Sequence, residues 1–196
     1  MIALIEGIRQ TGRDVIAIDL PGHGRSSGKK LNMRLGVSAI DAAWRHYGPF
    51  EAMVGHSFGG VIVLNGAQGS IQGIAARRPE RMVMISSPAS IPGLFAKVAG
   101  WLGISGRARQ VFEDEVKRIT GQPLCRFDGQ SQLAEVNVPT LIVHARDDKE
   151  VAAKSAETYS GAGPRVRLHW ADGFGHRRII GAEPVVRVVS RFIGTK

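Results

Sequence analysis

Gly55-His56-Ser57-Phe58-Gly59 fits G-x-S-x-G, the pattern of a sharp strand-to-helix turn that lifts a serine hydroxyl clear of the sheet as a nucleophile. The apolar run Ala52-Met53-Val54 precedes it, and Gly60-Val61-Ile62-Val63-Leu64 follows in a form that can open a helix. Such a turn is crowded, and Gly55 and Gly59 are expected to supply the small residues it needs on either side of Ser57. The helix N-terminus then offers backbone N–H groups and a partial positive charge to an oxyanion. Glycine makes up 25 of the 196 residues, so the pentapeptide arises easily by chance and the argument turns on its partners.

A serine hydroxyl is a poor nucleophile at neutral pH. It needs a base, and the base needs an orienting acid. Leu141-Ile142-Val143-His144 reads as a short buried strand after Pro139, and Ala145-Arg146-Asp147-Asp148 follows as a polar loop. An Asp at the C-terminal end of such a strand lies where ligands bind in open α/β sheets. Val166-Arg167-Leu168-His169-Trp170 reads as another strand, and Ala171-Asp172-Gly173-Phe174-Gly175-His176 places a histidine between glycines and the final helix. The other histidines read more plainly: His23 and His56 shape loops, His144 and His169 belong to apolar strands, and His46 lies at the edge of a helix with Trp44 and Tyr47. No pair of His or Cys has metal-ligand spacing, so no metal site is expected, and a serine activated by a base and an acid calls for no cofactor.

Four segments in this order resemble the alpha/beta-hydrolase family, in its esterase-like branch. They are Asp19-Leu20-Pro21-Gly22-His23-Gly24-Arg25-Ser26, Gly55-His56-Ser57-Phe58-Gly59-Gly60, His144-Ala145-Arg146-Asp147-Asp148-Lys149-Glu150-Val151 and Gly173-Phe174-Gly175-His176. The resemblance runs from about residue 14 to the C-terminus. It implies an α/β fold, a mostly parallel sheet with helices on both faces, in a single domain over 1–196 with a short helical cap-like insertion at about 88–137. It also implies a serine hydrolase acting on carboxylic esters, with Ser57 as nucleophile, Asp148 as acid, His176 as base and the Phe58 N–H as oxyanion donor. The family places its acid four residues beyond a strand-ending His, which counts from His144 to Asp148; Asp147 is the rival. Serine at the elbow points away from the dehalogenase and epoxide-hydrolase branches, which carry Asp there.

The chain departs from that pattern at its beginning. The resemblance implies three strands before the one ending at Asp19, the third followed by a loop that supplies a second oxyanion N–H. Residues 2–12 read instead as one amphipathic helix, with apolar residues at 2, 5 and 8, Leu4 beside Ile8, and Gly12 as C-cap. With a family strand order of 1-2-4-3-5-6-7-8, the missing third strand belongs between Val15-Ile16-Ala17-Ile18-Asp19 and the strand at 52–56. Either those two strands close up and pair, or the chain is a fragment; N-terminal truncation is the expectation, and with it impaired catalysis. A non-catalytic or partner-dependent hydrolase-fold module is the alternative.

Composition bounds the rest. A chain of 196 residues, 43% hydrophobic and 22% charged, suits one soluble domain with a core of its own. The net charge of +9 is scattered rather than clustered, and aromatics are only 6%, so nucleic acid is not an expected partner. No apolar run or signal pattern indicates a membrane, and the cytoplasm is the expected location. The expected partner is a small acyl ester, with homo-oligomerisation left open. Cys125 is expected to be half-buried, and Arg177 and Arg178 either attract an anion or cap a loop. Ile91 to Ile104 and Arg109 to Ile119 read as helices, and Leu94, Phe95, Val98, Trp101 and Leu102 form an apolar stripe able to cover the elbow. The last helix starts at Pro184, and Val185, Val189 and Phe192, with Val186 and Ile193, form its apolar face.

Overall fold

The computed structural model describes residues 1–194. Its strands are β1 (Ala52–His56), β2 (Arg81–Ile85), β3 (Thr140–His144) and β4 (Val166–Trp170), all parallel and ordered β1-β2-β3-β4. The helices are α1 (Ile2–Arg9), α2 (Met33–Tyr47), α3 (Phe58–Gln68), α4 (Ile91–Trp101), α5 (Gly106–Thr120), α6 (Gly129–Val136), α7 (Lys154–Ser160), α8 (Gly175–Arg178) and α9 (Glu183–Gly194). Among the described residues, no helix is long and apolar enough to cross a membrane.

Parallel strands covered on both faces must be apolar on both, and the central strands β2 and β3 meet this demand. Met82, Met84 and Ile142 enter one core, with Met33, Val37 and Ile40 of α2, Val61, Ile62 and Leu64 of α3, Leu133 of α6 and Tyr159 of α7. The alternate positions Val83, Ile85, Leu141 and Val143 enter a second core, with Leu4 and Ile8 of α1 and Val185, Val189 and Ile193 of α9. Helices therefore lie on both faces, as the resemblance implies.

The helix expected near the N-terminus forms, but its inward face is Leu4 and Ile8, one turn apart, while Ile2 is 73% exposed. It packs on α9 so closely that a Cβ on Gly7 would lie 2.3 Å from Val186 Cγ1. Gly12 is not its cap: Gln10 ends the helix, and Gly12 takes φ +82° in the turn beyond.

The strand expected at 15–19 does not form. This segment belongs to no strand, and Ile16 and Ile18 are 45% and 41% exposed. A strand requires a ladder partner, and among the described residues the neighbouring β1 pairs only with β2. The two segments therefore do not close up; the Arg13 guanidinium on Glu51, 2.9 Å away, links them at one end. The segment between β2 and β3 is helical, and its apolar stripe is largely left in water: Leu94, Val98, Trp101 and Leu102 are exposed, Trp101 by 84%. Phe95 stacks instead on Phe112 of α5, with ring centroids 3.8 Å apart. Cys125 is exposed rather than half-buried, because it sits in the 3₁₀ turn Leu124–Arg126 where Leu124 takes the inward position.

Leu4→Ala should lower the unfolding free energy by about 2–4 kcal/mol through loss of the α1–α9 contact. Ile2→Ala should change it by less than about 0.5 kcal/mol. Urea titrations of the two variants check this.

Candidate active site

Ser57 lies between β1 and α3 with φ +54° and ψ −126°, a region that non-glycine residues occupy only under local constraint. Its N–H donates to the Ile85 carbonyl of the adjacent strand at 2.8 Å, and its carbonyl accepts from Gly60 N–H at 3.0 Å. The constraint is a close approach of the strand to its own helix: a Cβ on Gly55 would fall 2.5 Å from the Gly59 carbonyl group and from Gly60 Cα. Gly60 is also crowded, mainly by a side chain: its Cβ would fall 1.9 Å from Ser87 Oγ, 2.9 Å from Ser87 Cβ and 3.3 Å from the Gly55 carbonyl oxygen. Gly59 is not; a Cβ there meets nothing within 4 Å. The small residues this turn requires are Gly55 and Gly60, because α3 turns the Gly59 side position away from the strand. Phe58 opens α3, so its N–H has no intrahelical acceptor.

The C-terminal ends of β1, β3 and β4 bring three of the expected residues together. Ser57 Oγ lies 3.0 Å from His176 Nε2, and His176 Nδ1 lies 2.8 Å from Asp148 Oδ2. The carboxylate can only accept, so His176 carries its proton on Nδ1 and presents Nε2 as acceptor to the serine hydroxyl. Asp148 and His176 are buried. Burial alone would raise the Asp148 pKa, but it is outweighed by N–H donation from Val151 at 2.8 Å, by His176, and by N–H donation from Glu150 at 2.9 Å. The net effect holds the carboxyl below the usual Asp range.

Asp147 faces out and serves differently: its Oδ1 accepts the Gly173 N–H at 2.9 Å, holding the histidine loop to the β3 loop. Arg178 donates to the Gly173 carbonyl at 3.0 Å, and Arg177 pairs with Glu150 at 2.9 Å. Both arginines thus tie down the loop that carries His176. The remaining histidines separate on geometry. His144 is fully buried and lies 3.0 Å from the Val151 carbonyl, behind Asp148. His23 lies near the Pro21 carbonyl at the surface. His56, in contrast, reaches the site, with Nε2 2.8 Å from the His176 carbonyl. Its position inside the elbow motif was the available signal. Among the described residues, no group of three His, Cys, Asp or Glu side chains is arranged to hold a metal ion.

Residues 3–191 match the model of the Alpha/beta hydrolase family. The chain belongs to the alpha/beta hydrolase family. No curated protein matches it in sequence. Solved alpha/beta-hydrolase structures similar to it include the monoacylglycerol lipase of Paleococcus ferrophilus, with 19% identity and a TM-score of 0.70 over 97% of this chain and 87% of that one. The esterase domain of a Rhodothermus marinus protein is 17% identical, with a TM-score of 0.65 over 98% and 76% of the two chains. A meta-cleavage product hydrolase of Pseudomonas fluorescens is 21% identical, with a TM-score of 0.65 over 97% and 82%. At these identities the likeness is one of fold.

Gly55→Ala should cost about 1–3 kcal/mol through backbone overpacking, whereas Gly59→Ala should be neutral or stabilise α3 by up to about 1 kcal/mol; thermal melts compare them. Because the folded-state pKa of Asp148 lies below its unfolded value of about 3.9, its ionisation stabilises the fold above that pH. The contribution disappears as pH falls through the depressed folded value. The stability difference between wild type and Asp148→Asn should therefore shrink on acidification below about pH 4, as measured by urea midpoints across pH.

Proposed function

We propose that this alpha/beta hydrolase is a serine hydrolase of carboxylic esters. The observation that carries the reading is the unbroken chain of two hydrogen bonds, Ser57 Oγ to His176 Nε2 and His176 Nδ1 to Asp148 Oδ2. In this reading His176 Nε2 removes the Ser57 proton as Oγ attacks the acyl carbonyl. Asp148, kept ionised by its donors, stabilises the imidazolium that forms. His176 then protonates the departing alkoxide, leaving an acyl-enzyme on Ser57. Water, deprotonated by the same Nε2, hydrolyses the acyl group and restores the serine. The Phe58 N–H, at the positive end of α3, holds the developing oxyanion.

An ester is the simplest substrate for these groups, and the similar structures named as an esterase domain and a monoacylglycerol lipase favour the same bond. With Phe58 as the one assigned donor, turnover should fall short of a two-donor site by about 100- to 1,000-fold. The unpaired outer edge of β1 favours a second reading, a partner-dependent module in which an added strand supports the elbow.

Fluorophosphonate labelling tests both. Stoichiometric labelling that is lost in Ser57→Ala, and slowed by at least about 1,000-fold in His176→Ala, supports the ester hydrolase. Labelling that appears only as protein concentration rises, together with dimer on size-exclusion chromatography, supports the partner-dependent reading. A soluble, folded chain that takes no label at any concentration overturns the ester-hydrolase reading and favours a non-catalytic hydrolase-fold module.

A further inference from the structure

The bond from His56 Nε2 to the His176 carbonyl, 2.8 Å long, joins residues 120 apart in sequence. A carbonyl only accepts, so His56 donates and its ring is the Nε2–H tautomer. The donor is the last residue of β1, immediately before Ser57; the acceptor is the backbone of the residue whose side chain faces Ser57. The other anchors of this loop lie within it, from Arg178 to Gly173, or join it to the loop after β3, from Gly173 to Asp147, from Arg146 to Asp172 and from Arg177 to Glu150. They fix His176 relative to Asp148 but not relative to the serine. Besides the Ser57–His176 pair itself, the bond from His56 is the link to the nucleophile's own strand among the described residues.

We propose that His56 is a positioning residue for His176, its Nε2–H holding the backbone of the base in register with the strand that carries Ser57. The proposal deepens the ester-hydrolase reading and rests on it for its catalytic consequence. The environment of His56 agrees with a neutral donor. Burial lowers its pKa, opposed by the bond to the His176 carbonyl and reinforced by the nearby His176 ring, while Asp148 and Glu150 pull weakly the other way. The two rings have centroids 4.9 Å apart, so a charged His56 would oppose the imidazolium that His176 must become. A neutral one tethers it without that cost.

The test compares wild type with His56→Gln, His56→Asn and His56→Phe on a p-nitrophenyl acyl ester, with Ser57→Ala as control. Gln can place an amide N–H near the lost Nε2; the shorter Asn cannot, and Phe keeps the ring without the donor. Phe and Asn should lower kcat by about 10- to 100-fold with KM unchanged, the penalty of a base slightly out of place. Gln should recover to within about threefold of wild type, as a longer but intact hydrogen bond allows. Wild-type kcat in the Asn variant overturns the proposal, as does a Gln variant no better than Asn when both melt like wild type. If Phe fails to fold, the Gln–Asn contrast decides alone. Activity that survives Ser57→Ala, or its absence in wild type, removes the ester-hydrolase reading but leaves the tether testable by amide exchange. Faster exchange at residues 173–177 in Asn than in Gln, with β2 unchanged, supports it; equal exchange overturns it.

Discussion

The site depends on how closely β1 approaches the helix that follows it. Gly55 lets the strand run against the backbone of Gly59 and Gly60, and Gly60 lets the same helix sit on Ser87. With both contacts made, the chain turns sharply between strand and helix, and Ser57 takes φ +54°. Strain of this kind costs on the order of 1–3 kcal/mol and persists only where the surroundings over-determine it. Here they do. Ser57 N–H is bonded to β2, and α3 is buried from Gly60 through Ala67.

The rest of the site follows from parallel topology. Strands aligned in one direction deliver their C-terminal loops to one edge, so Ser57 after β1, Asp148 after β3 and His176 after β4 arrive on the same side of the sheet. The apolar alternation of β2 and β3 anchors this arrangement from both faces. Local polar contacts then set the chemistry. Three donors keep Asp148 ionised despite its burial, and that charge fixes the tautomer that leaves His176 Nε2 free to accept.

The strand that leads into Ser57 is also, among the described residues, an edge strand of the sheet, and these two roles pull against each other. An edge strand leaves a row of backbone groups without ladder partners. Beside β1, Val15–Asp19 belongs to no strand, with Ile16 and Ile18 partly in water. The elbow is therefore held from the β2 side and from α3, with Arg13 and Glu51 as the polar link on the other side. His56 gains its weight from this geometry, since it joins the strand paired on one side to the histidine loop.

By itself the sequence determined the four paired strands, the helices that open the chain, follow the elbow and close the chain, and the three residues that meet at the site; the short helices α6 and α7, which also pack on the sheet, escaped it. Each is written in local spacing: apolar runs of strand length, a 3.6-residue stripe, a serine between glycines. Through-space partners decided what spacing could not. Asp147 and Asp148 are adjacent, alike in type and loop, and differ because one is exposed and the other is buried against a ring 28 residues away. Residues 15–19 have the composition of a strand, but a ladder is a property of two segments, and β1 does not pair with them. Gly60 rather than Gly59 is the constrained position, because Ser87 lies against it. His56 reads as a loop-shaping residue until the carbonyl of His176, 120 residues on, is found 2.8 Å from its ring. Local pattern specifies elements because neighbours along the chain share one backbone geometry; the partners of a side chain are set only when the sheet brings distant loops to the same edge.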